Sequence, residues 1–273
     1  TMHTGHAPGA LISGQTMVVK TLGEGASNEV ISPSAMIAVT LGNSGLGQSG
    51  RSPGTRSKAI AMLRAELVKA REYELKWSSA PDDKKPNREL RMETLARVIK
   101  GEMPLLVNVH RAHDILSALR LAKEFNIRIV LDGASEAYLV IDQIKSAGVS
   151  VIIHPTMARA GGETENLSME TAAKLQKAGI PVALQSGFEG YVPKTRVVLF
   201  EAGVAAANGL SFFDALATVT INAARILGIA GRVGSLEAGK DADVALFDGD
   251  PFEYSSHVTA VIIDGRIVSQ DVR

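Results

Sequence analysis

Leu105-Leu106-Val107-Asn108-Val109-His110 is the first of four short apolar runs, each closed by a polar side chain. The others are Ile127-Arg128-Ile129-Val130-Leu131-Asp132, Ser150-Val151-Ile152-Ile153-His154 and Pro181-Val182-Ala183-Leu184-Gln185. Between them lie segments with apolar residues at helical spacing, and the repeat is roughly 25 residues. Buried strands alternating with amphipathic helices predict right-handed βαβ units and a parallel sheet. The helices are expected over 89–100, 115–125, 135–147, 168–178, 195–208 and 212–227, with a longer one over 56–76.

Upstream, residues 1–54 are rich in Gly, Ser and Thr, with strand-like runs at 16–22 and 35–41 and a Gly/Ser loop at 42–54. No Gly-Lys-Ser/Thr follows that loop, so it reads as surface loop rather than phosphate cradle. The pattern changes after Arg232. Strands are expected at 233–236, 242–247 and 258–268, and Asp264-Gly265 is a hairpin signal inside the last. The division predicted is a (β/α) domain over 1–231 and a small β domain over 232–273.

Of 273 residues, 45% are hydrophobic and 21% charged, and 29 basic side chains balance 29 acidic ones. Zero net charge gives no global field favouring nucleic acid or an anionic membrane. No run approaches the roughly 18 apolar residues of a membrane span. The absence of cysteine excludes disulfides, thiolate ligands and a Cys nucleophile. The chain opens on Thr1 without an apolar leader, which leaves the compartment open between cytoplasm and periplasm.

Chemistry in parallel α/β folds gathers where the strands end, because the loops that follow enclose a pocket. His110, Asp132, His154 and the Gln185-Ser186-Gly187-Phe188-Glu189 run all stand at such ends and are expected to line one site. Each could ligate a metal, move a proton or orient substrate. Alone, each also has an ordinary structural reading; four in succession favour a shared pocket. His113 opens the next helix, and His257 falls in the small β domain. His3 and His6 lie in a ragged N-terminal stretch where an ordered metal pair is not expected.

The segment Gly231-Arg232-Val233-Gly234-Ser235-Leu236-Glu237-Ala238-Gly239-Lys240-Asp241-Ala242-Asp243-Val244-Ala245-Leu246-Phe247 is similar to the C-terminal signature of the amidohydrolase superfamily. Residues 215–225, Asp250-Pro251 and Ile263-Asp264-Gly265-Arg266 extend the likeness, and His110-Arg111-Ala112-His113-Asp114-Ile115 resembles a strand-end motif of its imidazolonepropionase-like and prolidase-like branch. The resemblance implies a TIM-type (β/α) barrel, incomplete in this chain, and hydrolysis of amide or other C–N bonds, or esters, of a small molecule or peptide. It implies a divalent metal, zinc by preference, on His110 and His154. Asp132 or Glu189 would act as general base, while Arg111 and His113 would bind substrate.

The departures are specific. The family's N-terminal His-x-His pair has no counterpart, Asn108 and Asp132 stand where relatives carry His, and the last-strand aspartate is replaced within Gln185-Ser186-Gly187. A metal-free variant follows, in which His110 or His154 activates Ser186 or a water. The alternative to an enzyme is a degenerate helper subunit paired with a complete relative. Either way the chain is expected to form a homo-oligomer or to join a chain supplying the N-terminal segment, through residues 1–54 and the 232–273 sheet.

Overall fold

The computed structural model describes residues 1–5, 9–22, 30–47, 51–154, 156, 159–187 and 197–270. Its centre is a six-stranded sheet of β2 (Ile12–Gln15), β5 (Ile37–Thr40), β6 (Leu105–Val109), β7 (Ile129–Gly133), β8 (Ser150–Ile153) and β9 (Val182–Leu184), paired in that order. From β5 to β9 every pairing is parallel, as the four apolar runs predict; β2 alone runs antiparallel, against β5. Between the strands lie α1 (Arg56–Ser79), α2 (Leu90–Ile99), α3 (Ala112–Phe125), α4 (Ile141–Ala147) and α5 (Thr171–Lys177). After β9 come α6 (Val198–Ala207), α7 (Phe212–Val219) and α8 (Ile221–Ile226). None of these helices is long and apolar enough to cross a membrane.

The strands are apolar on both faces because both are covered. One face sends Val39, Leu105, Val107, Leu131, Val151 and Leu184 into the main core, against Leu63, Leu95 and Ile115 of the helices. The other carries Met36, Leu106 and Val130, closed off by Ile152, Ile226 and Leu227. Side chains alternate along a strand with period two. Following this second face toward the strands' C-terminal ends therefore leads from apolar to polar: Thr40 after Met36 and Ala38, Asn108 and His110 after Leu106, Asp132 after Val130, His154 after Ile152.

Two expected helices are interrupted. The 212–227 segment breaks at Thr220, whose φ of −125° and ψ of −103° are not helical. The β-branched run Thr218-Val219-Thr220-Ile221 is a weak helix former, and the Thr220 hydroxyl donates to the Leu216 carbonyl, a bond that bends helices. The 135–147 segment becomes a short 3-10 turn, Ala137–Leu139, and then α4. Its first amide groups are committed elsewhere: Glu136 N–H donates to the His110 carbonyl.

Two small sheets complete the chain. One pairs β1 (Met2–Thr4), β3 (Met17–Val19) and β4 (Val30–Ser32); the other pairs β10 (Val244–Phe247), β11 (Val258–Ile263) and β12 (Arg266–Gln270). The Asp264-Gly265 hairpin is present, with both residues at positive φ. The strand expected at 233–236 is a turn, and Val233 instead packs with Val18, Ala224 and Ile229. Lys20, just past β3, is buried among three carboxylates. Its Nζ lies 2.8 Å from Asp241 and 2.9 Å from Asp243, and it also bonds Asp264.

Candidate active site

Asp132 lies at the C-terminal end of β7, 3% exposed, on the face shared with Asn108 and His154. A carboxylate there must be hydrogen-bonded to offset desolvation. Asn108 Nδ2 donates to Oδ2 at 2.8 Å, from the register position directly beside Asp132 on β6. Gln185 Nε2, just past β9, donates to Oδ1 at 2.7 Å. An ionised carboxylate only accepts, so both amides turn their NH2 groups inward. Hydrogen bonds to a charged group contribute about 1.5–3 kcal/mol each.

His110 follows β6 on the same face. Its Nδ1 lies 2.8 Å from Ser135 Oγ, and its ring packs closely against Gly133. A Cβ at Gly133 would stand 2.7 Å from His110 Cε1, so only glycine seats this ring; its φ of 81° also favours glycine. The next residue, Ala134, is buried at φ 43°, a strained conformation for a residue with a Cβ. Gly133 also serves the second imidazole, since its carbonyl accepts His154 N–H at 2.6 Å. His154 is 1% exposed. Burial lowers the His110 pKa from its ordinary value, and the nearby Asp132 and Glu163 charges oppose that shift only in part.

Residues 162–166 reach across these strand ends. Arg111 donates to Glu136 Oε1 at 2.8 Å and to the Gly162 carbonyl at 2.6 Å. Glu136 also accepts Ala112 N–H and Asn166 Nδ2. Glu163 accepts Asn43 N–H at 2.7 Å, beyond the end of β5, and pairs with Arg56, which also bonds the buried Asp114. Glu163 thus lies beside Gly42, where a Cβ would meet its Oε2 at 2.4 Å.

His110, Asp132 and His154 stand on one face of the sheet at its strand ends, together with Asn108 and Gln185. Ser186 follows Gln185 and is half-buried. Arg111 points to Glu136 and the crossing segment, so its guanidinium is already occupied by protein oxygens. His113 is 64% exposed, 3.4 Å from Asp114 Oδ1. Glu189 and His6 lie outside the described residues. His3 bonds Thr16, and His257 bonds Asp248 at the surface.

Sequence reading passed over Thr40, Glu163 and Ser135. Thr40 closes the apolar run of β5 just as His110 and Asp132 close theirs, so the same rule locates it. Its buried hydroxyl has no hydrogen-bond partner among the described residues. Glu163 and Ser135 carry no such signal, being placed by loop geometry alone.

A zinc ion needs at least three protein ligands in a tetrahedral arrangement. The described residues gather no group of three His, Asp or Glu able to hold one. The Asp132 oxygens face amide N–H groups, and His110 Nδ1 is taken up by Ser135. Among the described residues, the zinc expected on His110 and His154 therefore has no set of three ligands.

Sequence and structure comparisons agree on the lineage. An imidazolonepropionase from Syntrophobacter fumaroxidans is 40% identical over 79 residues, 29% of this chain and 19% of that protein. A 5-methylthioadenosine/S-adenosylhomocysteine deaminase from Symbiobacterium thermophilum is 41% identical over 74 residues, covering 22% and 17%. The chain thus matches less than a fifth of the length of either relative. A crystal structure of an amidohydrolase from Thermotoga maritima superposes with a TM-score of 0.91 and 29% identity, over 97% of this chain and 70% of that one. The Amidohydrolase family profile matches residues 86–269, well over half of the sequence, and the chain belongs to that family.

Proposed function

We propose that this chain carries the reaction centre of a hydrolase that attacks carbon bonded to nitrogen in a small molecule or peptide. What supports this reading is that His110, Asp132 and His154 stand at the C-terminal ends of three neighbouring parallel strands, in a member of a family whose matched relatives include an imidazolonepropionase and a deaminase. In this reading the sheet is one wall of a (β/α) barrel whose outer strands are β2 and β9. A second copy, or a chain supplying an N-terminal segment, would complete it there, and residues 232–273 form the small β domain.

The chemistry follows from the burial of His110. Its lowered pKa leaves the imidazole neutral near pH 7, able to accept a proton. As a water oxygen bonds to the carbonyl carbon, His110 takes the water's proton. The same proton then passes to the departing nitrogen as the C–N bond breaks. Asp132, fixed by Asn108 and Gln185, supplies the negative charge that stabilises the transient imidazolium. The Thr40 hydroxyl, on the same face, is a donor for the substrate.

The test is a hydrolysis screen of the purified chain on N-acyl amino acids, dipeptides, cyclic amides and aminopurines. Activity should fall on the order of a hundredfold in His110→Ala with the circular dichroism spectrum unchanged. No turnover above a buffer blank on any substrate would favour the second reading, a degenerate subunit that pairs with a complete relative. What speaks for that alternative is that both Asp132 oxygens already accept amide hydrogen bonds.

A further inference from the structure

Aromatic residues are scarce in this chain, with seven Phe and four Tyr in all. Four of the Phe and one Tyr meet on one surface: Phe200 on α6, Phe212 and Phe213 on α7, and Phe252 and Tyr254 in the turn between β10 and β11. Phe212 tilts onto Phe252 with ring centroids 4.9 Å apart, and Phe213 stands edge-on to Phe212 at 5.4 Å. Phe200 meets Tyr254 edge-on at 6.4 Å. Gly203 joins the two halves, because a Cβ there would stand 3.5 Å from the Phe252 Cβ. The strip faces water: Phe213 is 80% exposed and Tyr254 87%. Single exposed hydrophobes are ordinary, but a contiguous aromatic patch marks an interaction surface.

The two stretches of chain that supply the rings carry formal charge of one sign. Residues 197–224 contain no Lys or Arg, and neither do residues 241–265. Asp214, Asp248, Asp250 and Glu253 border the rings. Asp250 accepts Phe252 N–H and Asp214 bonds Ser211 Oγ, and neither carboxylate has an ion-pair partner among the described residues. His257 lies beside Asp248, its Nδ1 3.4 Å from the carboxylate. In a chain with equal numbers of acids and bases, this is a local excess.

We infer that the strip docks a cationic amphipathic protein segment, a helix that lays aliphatic side chains on the rings and lysines or arginines on the carboxylate rim. Aromatic anchors within a charged rim are the usual composition of such contacts, and cations gain further from the ring faces. Two copies meeting through this strip would bring like charges together, and an anionic bilayer would be repelled by the rim. The inference is independent of the hydrolase reading, because none of these residues belongs to the candidate site.

The experiment uses the full chain and two labelled helical peptides, one of Leu and Lys and one of Leu and Glu, followed by fluorescence anisotropy. The Leu/Lys peptide should bind in the micromolar range, more weakly as salt rises, and the Leu/Glu peptide should not bind. Phe213→Ala with Tyr254→Ala should weaken binding at least tenfold. Both side chains are solvent-facing, so the melting temperature should stay the same. Asp250→Asn with Glu253→Gln should weaken binding and flatten its salt dependence. Equal affinity for the two peptides, or unchanged affinity in the double aromatic variant, would overturn the inference. So would concentration-dependent self-association that the same variant abolishes, which would give the strip to a second copy.

Discussion

Lys20 and Asp132 are both charges held below the surface, and the protein accommodates them in opposite ways. Lys20 sits among Asp241, Asp243 and Asp264, and Arg232 also pairs with Asp241, so opposite charges meet and stitch residues from the two ends of the chain together. Asp132 is met by the neutral amides of Asn108 and Gln185, so its negative charge is held in place without being cancelled by them. A cancelled charge is architecture. A charge that is oriented and left uncancelled by its clamp can still act on something that arrives, which is what a site requires.

The contrast can be broken by substitution. Lys20→Met should have the largest effect, because it removes the buried cation that Asp241, Asp243 and Asp264 share and leaves Arg232 on Asp241 alone. A loss of about 3–5 kcal/mol in urea unfolding is expected. A loss under about 1 kcal/mol would mean that water reaches the three aspartates freely. Asp132→Asn should cost less, about 1–3 kcal/mol, since one amide N–H then faces another and a hydrogen bond is lost. If that variant proved as stable as the parent, the amide clamp would not be what holds Asp132.

Next in size is a pair of glycine replacements. Gly133→Ala adds a Cβ against the His110 ring at φ 81°, whereas Gly148→Ala adds one at φ 64° with nothing within 4 Å. Gly148→Ala should cost about 1 kcal/mol, the left-handed backbone penalty alone. Gly133→Ala should exceed it and also shift the His110 imidazole resonances in NMR. Equal costs would show that the ring moves aside freely.

The acid limb of stability sharpens the comparison last. Burial depresses the His110 pKa, so the unfolded chain takes up this proton first. His110 therefore contributes stability that is present above about pH 6.5 and declines as pH falls below it. Asp241 and Asp243 are depressed in the fold, by hydrogen bonds and charge from Lys20 working against burial. Their contribution is present above about pH 4 and is lost only below that. Urea midpoints measured against pH should show two separate declines. His110→Asn should remove the upper one, and its persistence in that variant would assign it elsewhere.

Much of the architecture was legible because buried parallel strands announce themselves twice, by apolar runs and by spacing. All four runs became neighbouring parallel strands. The rule that such runs end in chemistry brought His110, Asp132 and His154 to one face, and would have found Thr40 had it been applied to β5. What stayed hidden depended on distant partners. Ile12–Gln15 is too short and mixed to read as a strand until β5 pairs with it. The 212–227 helix looked continuous because periodicity does not report a hydroxyl bending the backbone at Thr220. Arg111 looked free to bind substrate because nothing local says that Glu136 and Gly162 will claim it. Lys20 gave no hint that its partners lie more than 200 residues away.

The bond between Glu163 and the Asn43 amide spans 120 residues of sequence. Closing so large a loop is entropically costly until the strands between have already come together. The lid over the strand ends should therefore be a late event in folding, with the four central strands gaining protection from hydrogen exchange before Asn43 does. A chain halted at that stage would be compact, with most of its secondary structure formed and the strand ends of the candidate site uncovered. On this account foldedness and competence become separable states, and the second could be lost by mild denaturant while the first persists.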